Sequence, residues 1–203
     1  MSKKDCGNHC HDGKEKLYRR LFGCLLATIF VILLIILIVW LVLRPSKPSF
    51  VLQDATVLQF NVTGAPNLLS ATLQVTLVSR NPNDRVGVYY ERMEVYAAYM
   101  NQQVTLRTVL PPTYQGHGEI SVWSPFLSGN NVPVAPFLAA SLAQAQSYGT
   151  GMFSIRVDGW VRWKVGSWSS GRYHLYVDCN AYLTLTGRGK PAVFPIAHCY
   201  TDV

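Results

Sequence analysis

The spacing of apolar positions divides the chain into two regimes. Leu21–Leu43, LFGCLLATIFVILLIILIVWLVL, is apolar without period and holds no charge and no proline; its polar content is confined to Gly23, Cys24, Thr28 and a terminal Trp40. As a helix it extends about 34 Å, enough to cross a hydrocarbon core of about 30 Å with its backbone groups bonded internally. A secretory signal has an apolar core of about 7–15 residues that ends in a small-residue cleavage site. This stretch is longer and runs into Arg44-Pro45-Ser46-Lys47-Pro48. The expectation is a retained membrane span over 21–43, preceded by a disordered cytosolic tail over 1–20 and followed by a stiff linker over 44–49.

From Phe50 onward the dominant period is two, the period of a half-buried strand. Leu58, Phe60 and Val62 alternate with Gln59 and Asn61, and Leu73, Val75 and Leu77 alternate with Thr72, Gln74 and Thr76. Asn81-Pro82-Asn83-Asp84 reads as a turn, because proline presets φ and the Asx side chains bond the backbone. Strands are expected at Val86–Met100, at Gln102–Val109 as its hairpin partner, and at Ile120–Trp123, with a loop at Pro111–Gly118. Met152–Lys164 and Tyr173–Thr186 continue the pattern. In the latter Leu175, Val177, Cys179, Ala181, Leu183 and Leu185 form one unbroken apolar row. Gly187-Arg188-Gly189-Lys190 reads as a hairpin turn, and Pro195 confines Val193–Cys199 to an edge or bulge. One helix interrupts at Val132–Ser147, with Pro136 early and Gly149 at its end. The class is mainly β: a transmembrane helix, then an antiparallel sandwich with one helix over 50–203.

Charge orients the span. The net +7 divides into +3 before the apolar run, +2 on Arg44 and Lys47, and +2 from Phe50 to the end. The denser basic flank stays cytosolic, which puts the later domain outside or in a lumen. An excess that hugs the bilayer is no nucleic-acid footprint, which needs a basic patch on one domain. A single span also argues against a channel or transporter built by this chain alone. Cys179 and Cys199 are the thiols on the outer side, where an oxidising compartment favours a bridge over two buried thiols. Asn61-Val62-Thr63 is a glycosylation sequon on that same side. Cys24 and the tail residues Cys6 and Cys10 are palmitoylation candidates.

Catalytic and metal chemistry is sought without result. No zincin, nucleophile-elbow, phosphate-loop or dinucleotide fingerprint occurs. Cys6, His9, Cys10 and His11 fit no usual zinc spacing. His117 has only Glu119 nearby to orient it as a base. His174 and Asp178 share a strand face about 13 Å apart, too far to pair. Trp160, Trp163 and Trp168 suggest a sugar platform or, more simply, packing. No cofactor and no enzymatic activity are expected.

The runs RNPNDRVGVYY from Arg80, LPPTYQGH ending at His117, VWSPF at Val122–Phe126, DGWVRWKVG at Asp158–Gly166, and GRYHLYVDC ending at Cys179 resemble the plant harpin-induced and non-race-specific disease-resistance-like group. The family motif falls on Asn81, Pro82 and Asn83, on Tyr114, Gln115, Gly116 and His117, and on Arg162, Trp163 and Lys164. The resemblance implies a group 2 late embryogenesis abundant domain with an immunoglobulin- or fibronectin-like sandwich. It also implies a plasma-membrane location, including plasmodesmata, and a part in defence. No catalytic residue carries over. The expected role is a non-enzymatic anchored protein with protein or cell-wall partners. The alternatives are a stress-protective module at the membrane–wall boundary and a binder of lipid or a small ligand.

Overall fold

The structure, a computed structural model, describes residues 9–43, 45–63, 67–185 and 197–203. The chain forms two compact units, Met1–Arg44 and Pro45–Val203. Helix α1 (His9–Leu43) makes the first. Within it Tyr18–Ile38 has a mean hydropathy of 3.2 and is unburied, long and apolar enough to cross a membrane. The tail expected to be disordered over 1–20 is instead helical from His9. Nucleation is the unfavourable step of helix formation and extension is cheap. A helix begun in the apolar run therefore propagates back through Leu17, Lys16, Glu15 and Lys14, all good helix formers.

The second unit holds β1 (Ser49–Thr63), β2 (Leu68–Arg80), β3 (Gly87–Tyr99), β4 (Gln102–Gln103), β5 (Thr108–Leu110), β6 (Thr113–Gln115), β7 (Ile120–Trp123), β8 (Phe126–Pro133), α2 (Pro136–Tyr148), β9 (Thr150–Val165), β10 (Trp168–Ser169), β11 (Tyr173–Thr184), β12 (Ala197–His198) and β13 (Tyr200–Asp202). One sheet runs β12-β1-β2, with β7 and β8 sharing the far edge of β2. The other runs β13-β11-β9-β3, with β4, β5 and β6 sharing the far edge of β3 and β10 extending β9. Pairings are antiparallel, and the two inner faces close on one apolar core.

Register decides which residues that core receives. Bulges between Leu52 and Asp54 and between Val57 and Gln59 interrupt β1. Each extra residue reverses the parity of the strand. Phe50 and Leu52 face in, then Ala55 and Val57, then Phe60. Leu58, expected in the apolar row with Phe60 and Val62, is consequently exposed, and Val62 is only half-buried. β3 does the same: a bulge between Tyr90 and Arg92 moves the buried set from Val88 and Tyr90 to Met93, Val95 and Ala97. Gly159 sits across from that irregularity, and a Cβ there would lie 2.5 Å from the Arg92 carbonyl oxygen. The row on β11 needs no such correction: Leu175, Val177, Cys179 and Leu183 are fully buried.

Other differences are local. Gln102–Val109 is not one hairpin strand, since β4 ends at Gln103 and β5 begins at Thr108. Between them Val104 and Thr105 turn inward, and the Thr105 hydroxyl accepts the Ala97 N–H at 2.9 Å. The expected loop Pro111–Gly118 contains β6, and the segment before the helix forms β8, so Val132 and Pro133 are strand rather than helix. α2 starts at Pro136 without a side-chain cap and ends on Gly149 in the left-handed region, with φ 76°. Leu138, Ala139, Leu142 and Ala145 supply its buried stripe. The turn expected at Gly187–Lys190 and part of Val193–Cys199 lie outside the described residues; Ala197 and His198 pair with Leu52 and Val51.

Cys179 and Cys199 form a disulfide across a sequence separation of 20. It joins the buried row of β11 to the segment between β12 and β13. Replacing both cysteines by alanine is expected to lower unfolding stability by about 3 kcal/mol, the loop-closure value for this length. Urea unfolding of the non-reduced protein and its variant measures the difference. An unchanged midpoint would refute the bridge as the fastening of the C-terminal segment.

Candidate functional site

The motif residues converge at one end of the sandwich, around Asn81. This side chain is fully buried and uses every polar atom. Its Nδ2 donates to the Val86 carbonyl at 2.8 Å and the Gly116 carbonyl at 2.9 Å. Its Oδ1 accepts from the Asn83 backbone N–H at 3.1 Å and from Asn83 Nδ2 at 2.8 Å. An aspartate here lacks the donors, and an apolar residue leaves the Val86 carbonyl and the Asn83 main-chain N–H without partners. Pro82 presets φ between the two asparagines and needs no partner for an N–H. Asn83 then clamps the incoming chain: its Nδ2 donates to the Ser46 carbonyl at 2.8 Å, and its Oδ1 accepts the Ser46 N–H at 2.7 Å.

Gln115 extends the same network. Its Nε2 donates to the carbonyls of Ser79 at 2.8 Å and Glu119 at 2.9 Å. Its Oε1 accepts the Tyr90 hydroxyl at 2.8 Å. That hydroxyl also lies 2.9 Å from Ser79 Oγ. Burial pushes the Tyr90 phenol well above its ordinary range, so it remains a neutral donor. Ser79 and Tyr90 had no sequence signal, because a serine and a tyrosine within apolar strands look like packing until the sheets are superposed.

The remaining motif residues brace this knot. The Gly116 N–H donates to Glu119 Oε2 at 2.7 Å, and Gly118 adopts φ +68°. His117 stands exposed between them. Glu119 is thus engaged by the backbone and does not orient His117 as a base. Tyr114 lies over Gly87, where a Cβ would come within 2.5 Å of the phenol oxygen, and Lys164 Nζ sits 5.2 Å from the Tyr114 ring centroid. Trp163 is buried, its main-chain N–H donating to Ser170 Oγ at 2.9 Å. Arg162 and Arg172 both pair with Glu91. Trp160 and Trp168 are exposed, so the three tryptophans do not make one platform.

A second polar assembly lies on the outer face of the larger sheet. His174 Nε2 is 2.7 Å from Asp158 Oδ1, and the other oxygen of Asp158 faces Arg107 at 3.4 Å. Arg107 also reaches Glu94 at 3.3 Å. Arg156 pairs with Asp178 at 3.2 Å. Cross-strand neighbours, rather than residues four apart on one strand, make these contacts. An open cleft of about 580 Å³ beside this ladder is lined by Tyr99, Met100, Asn101, Met152, Ser154, Arg156, Asp178 and Asn180, and His174 does not border it. Among the described residues no three His, Cys, Asp or Glu side chains are placed to hold a metal ion. The tail positions Cys6, His9, Cys10 and His11 fall outside the described side chains. Asn61 is exposed on β1, away from the short stretch where β12 pairs with that strand.

A family profile described as Late embryogenesis abundant protein matches residues 76–181. NDR1/HIN1-like protein 1 of Arabidopsis thaliana is 50% identical over 94% of this chain and 91% of its own length. NDR1/HIN1-like protein 12 of the same plant is 51% identical over 93% of this chain and 89% of its own. A solution structure of a putative late embryogenesis abundant protein aligns with 92% of this chain and 95% of its own at 14% identity and a TM-score of 0.34, a likeness too loose to bear on the fold.

Asn81→Ala strands the Val86 carbonyl and the Asn83 main-chain N–H, and takes one bond each from the Gly116 carbonyl and Asn83 Nδ2. Its expected loss is about 3 kcal/mol or more, at about 1–3 kcal/mol per abandoned buried group. Gln115→Leu is expected to behave similarly, whereas exposed His117→Ala should stay within about 0.5 kcal/mol of wild type. Chemical denaturation of the three variants checks this. A His117 variant as damaged as Asn81→Ala would overturn the assignment of the knot to Asn81 and Gln115.

Proposed function

The chain belongs to the NDR1/HIN1-like family, and on that premise we propose that it is a single-pass plasma-membrane protein of plant defence and stress responses that works through contacts of its outer domain rather than through catalysis. α1 is the signal-anchor, with the basic flank in the cytosol. The sandwich domain lies outside, carries a glycan on Asn61, and meets protein or cell-wall partners there, including at plasmodesmata. The observation that carries the reading is where the motif goes. Asn81, Asn83, Gln115 and Gly116 are used up by hydrogen bonds that hold the domain's own backbone. His117 meanwhile has lost its one carboxylate partner to a main-chain N–H. A motif that serves the scaffold leaves function to the surface, and a surface works where it is held.

Two measurements test this. Deglycosylating the protein from plant tissue should increase its gel mobility, and Asn61→Gln should abolish the shift; absence of any shift removes Asn61 as a marker of the outer side. Replacing Leu21–Leu43 with an unrelated span of similar length should preserve the defence response, while secretion of 50–203 without a span should weaken it. Full function from the secreted form at matched expression would sink the anchored reading in favour of a freely diffusing ligand or substrate.

A further inference from the structure

The end of the sandwich that receives the incoming chain has an unusual surface. Besides the Ser46–Asn83 clamp, Lys47 is paired with Asp202. Strand registers identify what else occupies this end. Ser49 stands opposite Arg80, and Arg80 opposite Ile120. Gly87 stands opposite Lys164, and Lys164 opposite Ser169, so the turn at Gly166 and Ser167 projects beyond the last pairs. Three connections therefore emerge side by side: Asn81–Val86, Gly116–Glu119 and Val165–Gly171.

Trp168 is 62% exposed on the last of these, with Ile120 62% and Tyr114 51% exposed beside the others. Arg80, Arg85, Lys164 and Arg172 are exposed among them, against Asp84 and Glu119. Glu119 is engaged by Gly116, and Glu91 is shared between Arg162 and Arg172, leaving that trio positive. The opposite end exposes Met100, Met152 and Tyr148 and, among the described residues, no tryptophan. An exposed indole flanked by cations suits the headgroup layer of a bilayer, where amphipathic rings settle and ammonium and guanidinium groups meet phosphate.

We propose that this end of the domain docks on phospholipid headgroups of the bilayer, with Trp168 as the interfacial anchor and Lys164 and Arg172 as phosphate contacts. The inference rests on the anchored reading of α1. Attachment through Ser46 keeps the surface around the attachment point at high effective concentration near the lipid, so weak contacts suffice. The Asn83 clamp holds Ser46 to these loops, so the attachment point belongs to this end of the domain. The docked end leaves the cleft at Met100 and Met152 facing away from the lipid.

The test uses the full chain in phosphatidylcholine nanodiscs doped with a phosphatidylcholine bearing a photoreactive headgroup. Labelled peptides are mapped by mass spectrometry. Label is expected on the flank of α1 and on the Val165–Gly171 turn, and not on the Met100–Asn101 hairpin. Trp168→Ser combined with Lys164→Gln should reduce turn labelling about fivefold or more, with the thermal midpoint and the disulfide retained. Label on α1 with none on the turn overturns docking and leaves the anchor standing. No label on either overturns the anchor and docking together. Equal label on the turn and the Met100–Asn101 hairpin overturns docking as random lipid contact. Because the wild-type pattern alone decides between these, a variant that fails to fold does not blunt the test.

Discussion

The side chain of Asn81 is the constraint on which the domain depends. Four hydrogen bonds to one buried amide join the end of β2, the start of β3 and the turn after β6. Those segments belong to different sheets, and the side chain reinforces the main-chain bonds there, from the Asn81 N–H to the Glu119 carbonyl and from the Gly118 N–H to the Asn83 carbonyl. A buried amide with all its groups satisfied is worth more than its individual bonds suggest, because losing it leaves several desolvated groups unpaired at once. Asn83 then carries the same network out to Ser46, so the fastening of the sheets and the fastening of the incoming chain are one structure.

From that fixed end the sandwich is organised by parity. β1 crosses two bulges and β3 one, and each reversal brings a new set of apolar side chains inward. Gly159 permits the close strand approach beside the β3 bulge, where any Cβ would meet the backbone of Arg92 and Met93. The disulfide fastens the other margin. Cys179 belongs to the buried row of β11, so its partner draws the C-terminal segment toward the edge of both sheets, where β12 pairs with β1 and β13 with β11.

Function follows from what these constraints leave over. Motif residues that in many families surround a reaction centre here complete a scaffold. The exposed groups are arranged by cross-strand register into an ion-pair ladder on one face and an aromatic, cationic rim at one end. Ser46, held by Asn83, belongs to the same end as that rim, so the incoming chain and the rim share one surface of the domain.

Features that depend on neighbours along the chain are written in the residues themselves. The unbroken apolar run of Leu21–Leu43, the period-two rows of β2, β9 and β11, the exposure of Asn61 and the Cys179–Cys199 pairing were all legible, because composition, alternation and the number of thiols after the apolar run are local or countable properties. The tertiary structure alone decided the face of Leu58, the division of Gln102–Val109, the strand before α2, and the partners of Asn81, Gln115, Tyr90 and His174. A bulge adds one residue with no composition signal and inverts everything after it. A cross-strand pair such as His174 and Asp158 joins positions whose separation in the chain carries no information about their separation across a sheet.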